Sequence, residues 1–356
     1  MDTRLQVAII GCGWAGIRHA HGFAQCGAEV TWAVDVNHVR AAALNAAFGG
    51  MARITNDFRQ ALADPALDAV DICLPHDLHA AVAVAAADAG KHILCEKPIA
   101  ATLPEADAMI AAADQAGVVL MIAENERFLP LSHKIRDLIR AGVIGKPALL
   151  QMTRECYLTR SFVEERPWFL DAKAAAGGMM TAGGVHDFET ARMVLGDDVA
   201  SVYSLRAPQR FLELEGDDTS VALVRFRGSA VGTFVLSFVM KSLVTAAGPE
   251  IHTIRVDGEL GSIEARDGRT IRIFSERDDW RVGERLIHHE IYVPEQDTFA
   301  LEVEHFVQCV RTGAEPLTSG RSQRRPLEIV LAAYQLDCCV LDSLRSRALL
   351  LQACRI

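Results

Sequence analysis

Leu5-Gln6-Val7-Ala8-Ile9-Ile10-Gly11-Cys12-Gly13-Trp14-Ala15-Gly16 is the stretch whose reading decides the fold. An apolar strand-like run ends at a glycine, and a G-x-G-x-x-G follows at once. Such a pattern alone is a weak signal, because glycines also mark ordinary turns. Its surroundings make it specific. Ala15–Gln25 reads as a helix, Val30–Val34 as a second apolar strand, and Asp35 closes that strand 19 residues beyond Gly16. In a strand–turn–helix–strand–acid unit, Gly11 permits the tight turn and Gly13 lets the backbone approach a pyrophosphate. Gly16 lets the helix pack close to the strand.

The helix N-terminus presents free N–H groups and partial positive charge to phosphates. Asp35 suits the adenosine ribose hydroxyls and would repel a 2′-phosphate, which puts NAD ahead of NADP. Arg40 and His38 stand near enough in sequence to keep NADP open.

The alternation continues outward. Val39–Ala47 and Asp57–Ala63 are helix-forming, and Ala69–Leu74 is a strand stopped by Pro75. Leu78–Ala89 is a helix stopped by Gly90. His92–Cys95, Pro104–Gln115 and Val118–Ile122 read as strand, helix and strand. Near-continuous apolar strands between helices predict a Rossmann-type, doubly wound parallel α/β sheet over residues 1–123. Residues 124–356 read differently. Helices are expected at Ser132–Arg140, within Ala182–Leu195, and near 298–312 and 326–345. Strands are expected at Ala148–Cys156, Ala200–Leu205, Thr219–Phe226, Ala230–Phe238, His252–Asp257, Ser262–Ala265 and Thr270–Phe274, with turn signals at Asp257-Gly258 and Asp267-Gly268. That pattern predicts an α+β domain with a large, mostly antiparallel open sheet.

Bulk properties bound the function. A chain of 356 residues is long for one core and suits two domains. A formal net charge of −10 argues against a nucleic acid or an anionic membrane as the main partner. Nine cysteines occur, at 12, 26, 73, 95, 156, 309, 338, 339 and 354, without a C-x-x-C pair. This points to a reducing cytoplasm rather than a disulfide framework or a zinc site. No signal-peptide pattern or bilayer-length apolar run is read. His288-His289-Glu290 lies on an alternating strand without open ligand geometry, so no metal is expected.

Further along stand Asp71-Ile72-Cys73-Leu74-Pro75-His76-Asp77-Leu78-His79 and, after the strand His92–Cys95, Glu96-Lys97-Pro98. With Gly11…Gly16 and His19 these resemble the glucose–fructose oxidoreductase, inositol dehydrogenase and rhizopine-catabolism (Gfo/Idh/MocA) family. The resemblance continues through Arg127-Phe128-Leu129-Pro130, Gly142–Pro147, Gly177-Gly178 to His186, Val256-Asp257-Gly258 and Gly313–Pro316, and so spans nearly the whole chain. It implies hydride transfer between a nicotinamide cofactor and a hydroxyl-bearing carbon of a sugar, cyclitol or related polyol. Gly11, Gly13, Trp14, Ala15, Gly16, Asp35, Pro75, His79, Glu96 and Lys97 are the cofactor-binding residues it implies. Lys97 and His186 are the catalytic ones. A cation beside the reacting hydroxyl stabilises developing alkoxide, and histidine exchanges protons near neutral pH. In the family the peptide before the Pro98 position is often cis.

The family usually carries an aspartate four residues before this histidine. Here that position is Ala182. Asp187 or Glu189 can stand in, Thr181 can supply a hydroxyl, or the relay is rebuilt on Lys97 and His186 alone. Weaker substrate candidates are His76, Asn125, Arg127, Tyr157, Trp168 and Asp187, with Glu124, Arg160 and Arg166 near them. His76 reads equally as a helix cap, and Arg127 as a structural ion pair. Val221, Val224, Phe234 and Phe238 are expected on an outer sheet face that a homodimer or homotetramer would cover. Two other readings use the same scaffold: redox-neutral sugar elimination or glycoside cleavage with tightly held NAD, and a non-catalytic NAD(H)-binding regulator.

Overall fold

The computed structural model describes residues 4–207, 209–210, 213–240, 250–266 and 268–335. Cys338, Cys339, Cys354, Asp267 and the expected run of the last helix to 345 lie outside the described residues.

The first half alternates as expected. The strands are β1 (Gln6–Ile10), β2 (Glu29–Val34), β3 (Arg53–Thr55), β4 (Ala69–Ile72), β5 (His92–Glu96) and β6 (Leu120–Ala123). Between them run α1 (Trp14–Gln25), α2 (His38–Ala47), α3 (Phe58–Leu62), α4 (His79–Asp88) and α5 (Leu103–Ala116). The strands form one parallel sheet of order β3-β2-β1-β4-β5-β6. The order reverses direction at β1, the switch point beside which such sheets bind ligands. Strand β3 carries no apolar run of its own, and its three residues escaped the sequence reading. Caps fix the helix starts: Asn37 accepts from the Val39 N–H at 3.0 Å, and Thr102 with Glu105 forms a reciprocal capping box on α5.

Helix α6 (Pro130–Arg140) and strand β7 (Pro147–Cys156) open the second architecture. After the short α7 (Arg160–Glu165) come a π turn at Met180–Gly184 and α8 (Val185–Leu195). The strands β8 (Val199–Arg206), β9 (Thr219–Phe226), β10 (Val231–Ser237), β11 (Glu250–Gly258), β12 (Gly261–Ala265), β13 (Thr270–Ser275) and β14 (His288–Tyr292) follow. With β7 they make an eight-stranded sheet, order β14-β13-β12-β11-β7-β10-β9-β8. Only β7 and β10 pair in parallel within it. Its core includes Leu150, Met152, Phe188, Phe226, Phe234, Val256 and Ile273, with the Phe188 and Phe234 rings 4.8 Å apart.

Two helices close the described chain: α9 (Thr298–Thr312) and α10 (Gly320–Gln335). Helix α10 starts six residues before the expected point and carries Pro326 inside it.

By compactness the described residues divide into two units, those of 4–128 with 297–327, and those of 129–296 with 328–335. A single cut after residue 123 therefore misplaces residues 297–327. The physical reason is α9, which packs on α1. Gly22 brings the two helices together: a Cβ there would stand 2.9 Å from Val303 Cβ. Phe306 meets Phe23 edge-on at 6.3 Å, and Val303, Phe306 and Val307 complete the core built on Val7, Ile9, Leu94 and Met121. The Ile122 N–H donates to Thr318 O at 2.8 Å, fixing the returning chain beside β6.

The expected outer face of the second sheet is partly corrected. Val221 is exposed, but Val224, Phe234 and Phe238 are buried. Val221 and Val224 lie three residues apart, so the two-residue period of a strand sends them to opposite faces. The exposed face carries Tyr203, Leu205, Val221, Leu223 and Val231.

Candidate active site

At the glycine turn each glycine has its own reason. Gly11 has φ +100°, and a Cβ there would fall 2.1 Å from Cys73 O. A Cβ on Gly16 would fall 2.2 Å from Gly11 O. Gly13 has open space where its Cβ would stand. It precedes α1 without a side-chain cap, so the N–H groups of the first turn are left for an anion. Asp35 braces the turn from the end of β2. Its carboxylate accepts from the Cys12 N–H at 2.9 Å and the Asn37 N–H at 2.7 Å. This cradle fits a dinucleotide: backbone donors and an open glycine where the pyrophosphate would lie, and an acid for the ribose. Trp14 is half exposed, stacked 3.7 Å under the Arg18 guanidinium and edge-on to Phe299 at 5.5 Å. Phe299 comes from the returning segment and bears no sequence signal for this place.

The loops after β4 and β5 are tied together. His79 is fully buried, and its ring nitrogens each lie 2.9 Å from a backbone oxygen, of Pro98 and of Leu74. Burial pushes its pKa down. His79 therefore holds the Pro75 loop to the Pro98 loop. His76 is buried edge-on to it at 5.7 Å. The Lys97–Pro98 peptide is cis. The Lys97 N–H donates to Glu96 Oε2 at 3.1 Å, and Lys97 is partly exposed at the C-terminal end of β5. Asn125 donates to Thr298 Oγ1 at 2.9 Å, so this residue anchors the start of α9. Arg127 is partly buried and Glu124 fully so.

Burial, then the Asp35 and Asp71 carboxylates, pushes the Cys12 thiol up to about 12. Burial raises Cys73 and Cys95 as well, which opposes nucleophilic roles. His19, Asp71 and Cys73 bring possible ligand atoms within 4.8 Å of one another. The raised Cys73 pKa disfavours the thiolate a metal would need.

In the second unit His186 is buried in the first turn of α8. All three residues that the sequence offered in place of the missing aspartate are engaged elsewhere. Thr181 donates its hydroxyl to Ala176 O at 2.8 Å and toward the Tyr334 hydroxyl at 3.2 Å. Glu189 accepts from Arg192 at 2.8 Å. Asp187 is sealed, receiving Arg154 at 2.8 and 3.1 Å with His252 Nε2 2.8 Å away. A sealed carboxylate does not meet substrate, so Asp187 is a structural anchor in this fold. Trp168 packs edge-on to Phe169 against the core. Arg166 stacks on Phe162 at 4.3 Å, and Arg160 is an exposed partner of Glu213 at 3.0 Å. Tyr157 bridges to Val239. His252 has no motif around it, and sequence reasoning passed over it.

Residues 5–124 match the model of an oxidoreductase family with an NAD-binding Rossmann fold (Gfo/Idh/MocA), and residues 132–264 match the C-terminal domain model of that family. The chain is 30% identical over 285 residues to the uncharacterized oxidoreductase YrbE of Bacillus subtilis, covering 79% of each. It is 27% identical over 335 residues to myo-inositol 2-dehydrogenase of Thermotoga maritima, covering 92% of this chain and 95% of that one. Among solved structures, a levoglucosan dehydrogenase in complex with NADH and levoglucosan shares the fold. Its TM-score is 0.83 at 23% identity, over 94% of this chain and 97% of that one. The glycine cradle, the Glu96-Lys97-Pro98 turn and these matches agree: the chain belongs to the Gfo/Idh/MocA oxidoreductase family and carries its NAD-binding Rossmann fold.

Proposed function

We propose that the protein oxidises a secondary alcohol of a sugar, cyclitol or related polyol, or reduces the matching ketone, with NAD as the hydride carrier. The observation that carries this reading is Lys97. It sits partly exposed at the end of β5, its backbone held by Glu96, at the strand edge where doubly wound sheets bind ligands. The N–H groups opening α1 would bind the pyrophosphate and Asp35 the ribose hydroxyls. Bound nicotinamide supplies the hydride acceptor. The Lys97 ammonium stabilises oxygen charge as the hydroxyl loses its proton, and His186 exchanges that proton. Thr181, Asp187 and Glu189 each hold other partners, which supports the reading in which Lys97 and His186 carry the proton chemistry without the aspartate. Asp35 favours NAD over NADP. Myo-inositol 2-dehydrogenase among the relatives supports a cyclitol or sugar as substrate.

The exposed apolar row from Tyr203 to Val231 supports a homodimer or homotetramer built on the eight-stranded sheet. A cytoplasmic setting suits nine scattered cysteines without a C-x-x-C pair, and among the described residues no helix is long and apolar enough to cross a membrane.

The test is a panel of sugars, cyclitols and sugar acids with NAD and NADP, read at the reduced-nicotinamide absorbance band. Net reduction with at least one polyol is expected. Lys97→Ala should lower turnover roughly 100-fold or more while dinucleotide binding persists. Full turnover by Lys97→Ala removes the lysine from the mechanism.

A further inference from the structure

Behind the Glu96-Lys97 turn lies a buried charge cluster that the hydride-transfer scheme does not use. His19 of α1 is fully buried. Its Nδ1 lies 2.9 and 3.1 Å from the two carboxylate oxygens of Asp71 on β4. Its Nε2 lies 3.3 Å from Glu302 Oε1, which reaches in from α9, and 3.6 Å from Glu96 Oε1 at the end of β5. Cys73 Sγ stands 3.5 Å from Nδ1. With the Asp71 carboxylate and the Cys73 sulfur at Nδ1, the ring's pKa is raised well above the usual value and it is held as imidazolium. Burial alone would lower it; Asp71 outweighs that penalty.

Glu302 sits beside other acids. It is fully buried, and neither of its carboxylate oxygens receives a geometrically sound hydrogen bond. The charged groups that bear on it are His19, which favours its ionised form, and two further acids, Glu96 and Glu124, which oppose it. Asp71 lies beyond the imidazole. Burial, reinforced by Glu96 and Glu124 and opposed by His19, pushes Glu302 up to about 8. Near neutral pH it therefore keeps a proton; Lys97 follows Glu96 at the same strand end. Asp71, Glu96 and Glu124 all stand at the C-terminal ends of β4, β5 and β6. On that edge a positive charge is favoured, and an oxidised nicotinamide ring is positive where the reduced ring is neutral.

We propose that Glu302 is a positioning residue that acts through His19 on Glu96, and that its proton is exchanged for the positive charge of the oxidised nicotinamide. When NAD+ binds, the Glu302 O–H bond breaks and the proton passes to the buffer. The carboxylate left behind pairs with His19. When the ring is neutral, as in NADH, the proton stays on Glu302. Glu96 feels the difference through the shared imidazole nitrogen, and Glu96 Oε2 holds the Lys97 N–H. The inference rests on dinucleotide binding and not on which alcohol is oxidised.

Calorimetric titration of the full chain with NAD+ and with NADH, at pH 7.5 in phosphate and in Tris, counts the protons exchanged on binding. NAD+ should release about half a proton or more, and NADH close to none. Glu302→Gln should bind both forms and lose the difference. Independently of any variant, wild-type affinity for NAD+ should rise roughly tenfold from pH 7 to pH 9 while that for NADH stays flat. Equal proton counts for the two forms, a difference that persists in Glu302→Gln, or parallel pH dependences would overturn the proposal. No binding heat with either form would sink the cofactor reading as well. Binding with the expected proton counts but no polyol oxidation would leave this inference standing and sink only the proposed substrate class.

Discussion

Arg154 grips Asp187 with two nitrogens: Nη2 lies 2.8 Å from Oδ1 and Nε lies 3.1 Å from Oδ2. Both side chains are buried, and His252 Nε2 lies 2.8 Å from the same Oδ1. The pair joins β7 to α8 one residue from His186. Breaking such a pair leaves an uncompensated buried charge, which costs about 3–5 kcal/mol. Arg154→Met should therefore lower the urea midpoint steeply. The double variant with Asp187→Asn should recover part of the loss. Burial alone would raise the Asp187 pKa, but Arg154 and then His252 hold it below the usual carboxylate range. The sign follows from the depressed value: this stability is present above about pH 4 and is lost as pH falls through the folded pKa. An acid midpoint unchanged in Asp187→Asn would contradict the assignment.

The glycine turn separates a folding requirement from a binding one. Gly11→Ala places a methyl against Cys73 O on a backbone with φ +100°. The backbone strain alone should cost about 1–3 kcal/mol, read as a fall in melting temperature without ligand. Gly13→Ala meets open space and an ordinary φ of −84°. It should change stability by no more than about 0.5 kcal/mol yet weaken NAD binding, since the methyl occupies the approach of the pyrophosphate. Wild-type affinity in Gly13→Ala would mean that the cofactor lies elsewhere.

The exposed row on the eight-stranded sheet gives a prediction about assembly. Leu223→Glu sets a charge in the middle of Tyr203, Leu205, Val221 and Val231. Light scattering should show the wild-type oligomer and a variant shifted to monomer with its secondary structure intact. A wild-type chain that is monomeric at all accessible concentrations removes this role from the face.

Legibility followed locality. The parallel sheet could be read because each of its longer strands is a contiguous apolar run, and the turn at Gly11 could be read because its residues are adjacent. Helix α9 could not be assigned to the first unit. Its fit to α1 depends on Gly22 and Val303, 281 residues apart. Glu302 was invisible for the same reason, since its neighbours His19, Glu96 and Glu124 converge only in space. His79 was read as a cofactor-binding residue from its motif, but the two backbone oxygens beside its ring nitrogens come from separate loops that no motif joins. On β9 the strand itself was legible, but its faces were not: the assignment mixed the two parities, and the alternation seen in the structure sorts them.

Hydride transfer itself can be watched with a polyol carrying deuterium on its carbinol carbon, chosen from the panel for turnover. NMR of the nicotinamide product should show the label at ring carbon 4, with slower turnover than the unlabelled polyol, and Lys97→Ala should form the labelled product roughly 100-fold more slowly. Product that keeps its deuterium while no reduced nicotinamide accumulates, or reduced nicotinamide free of label, would contradict a net dehydrogenase.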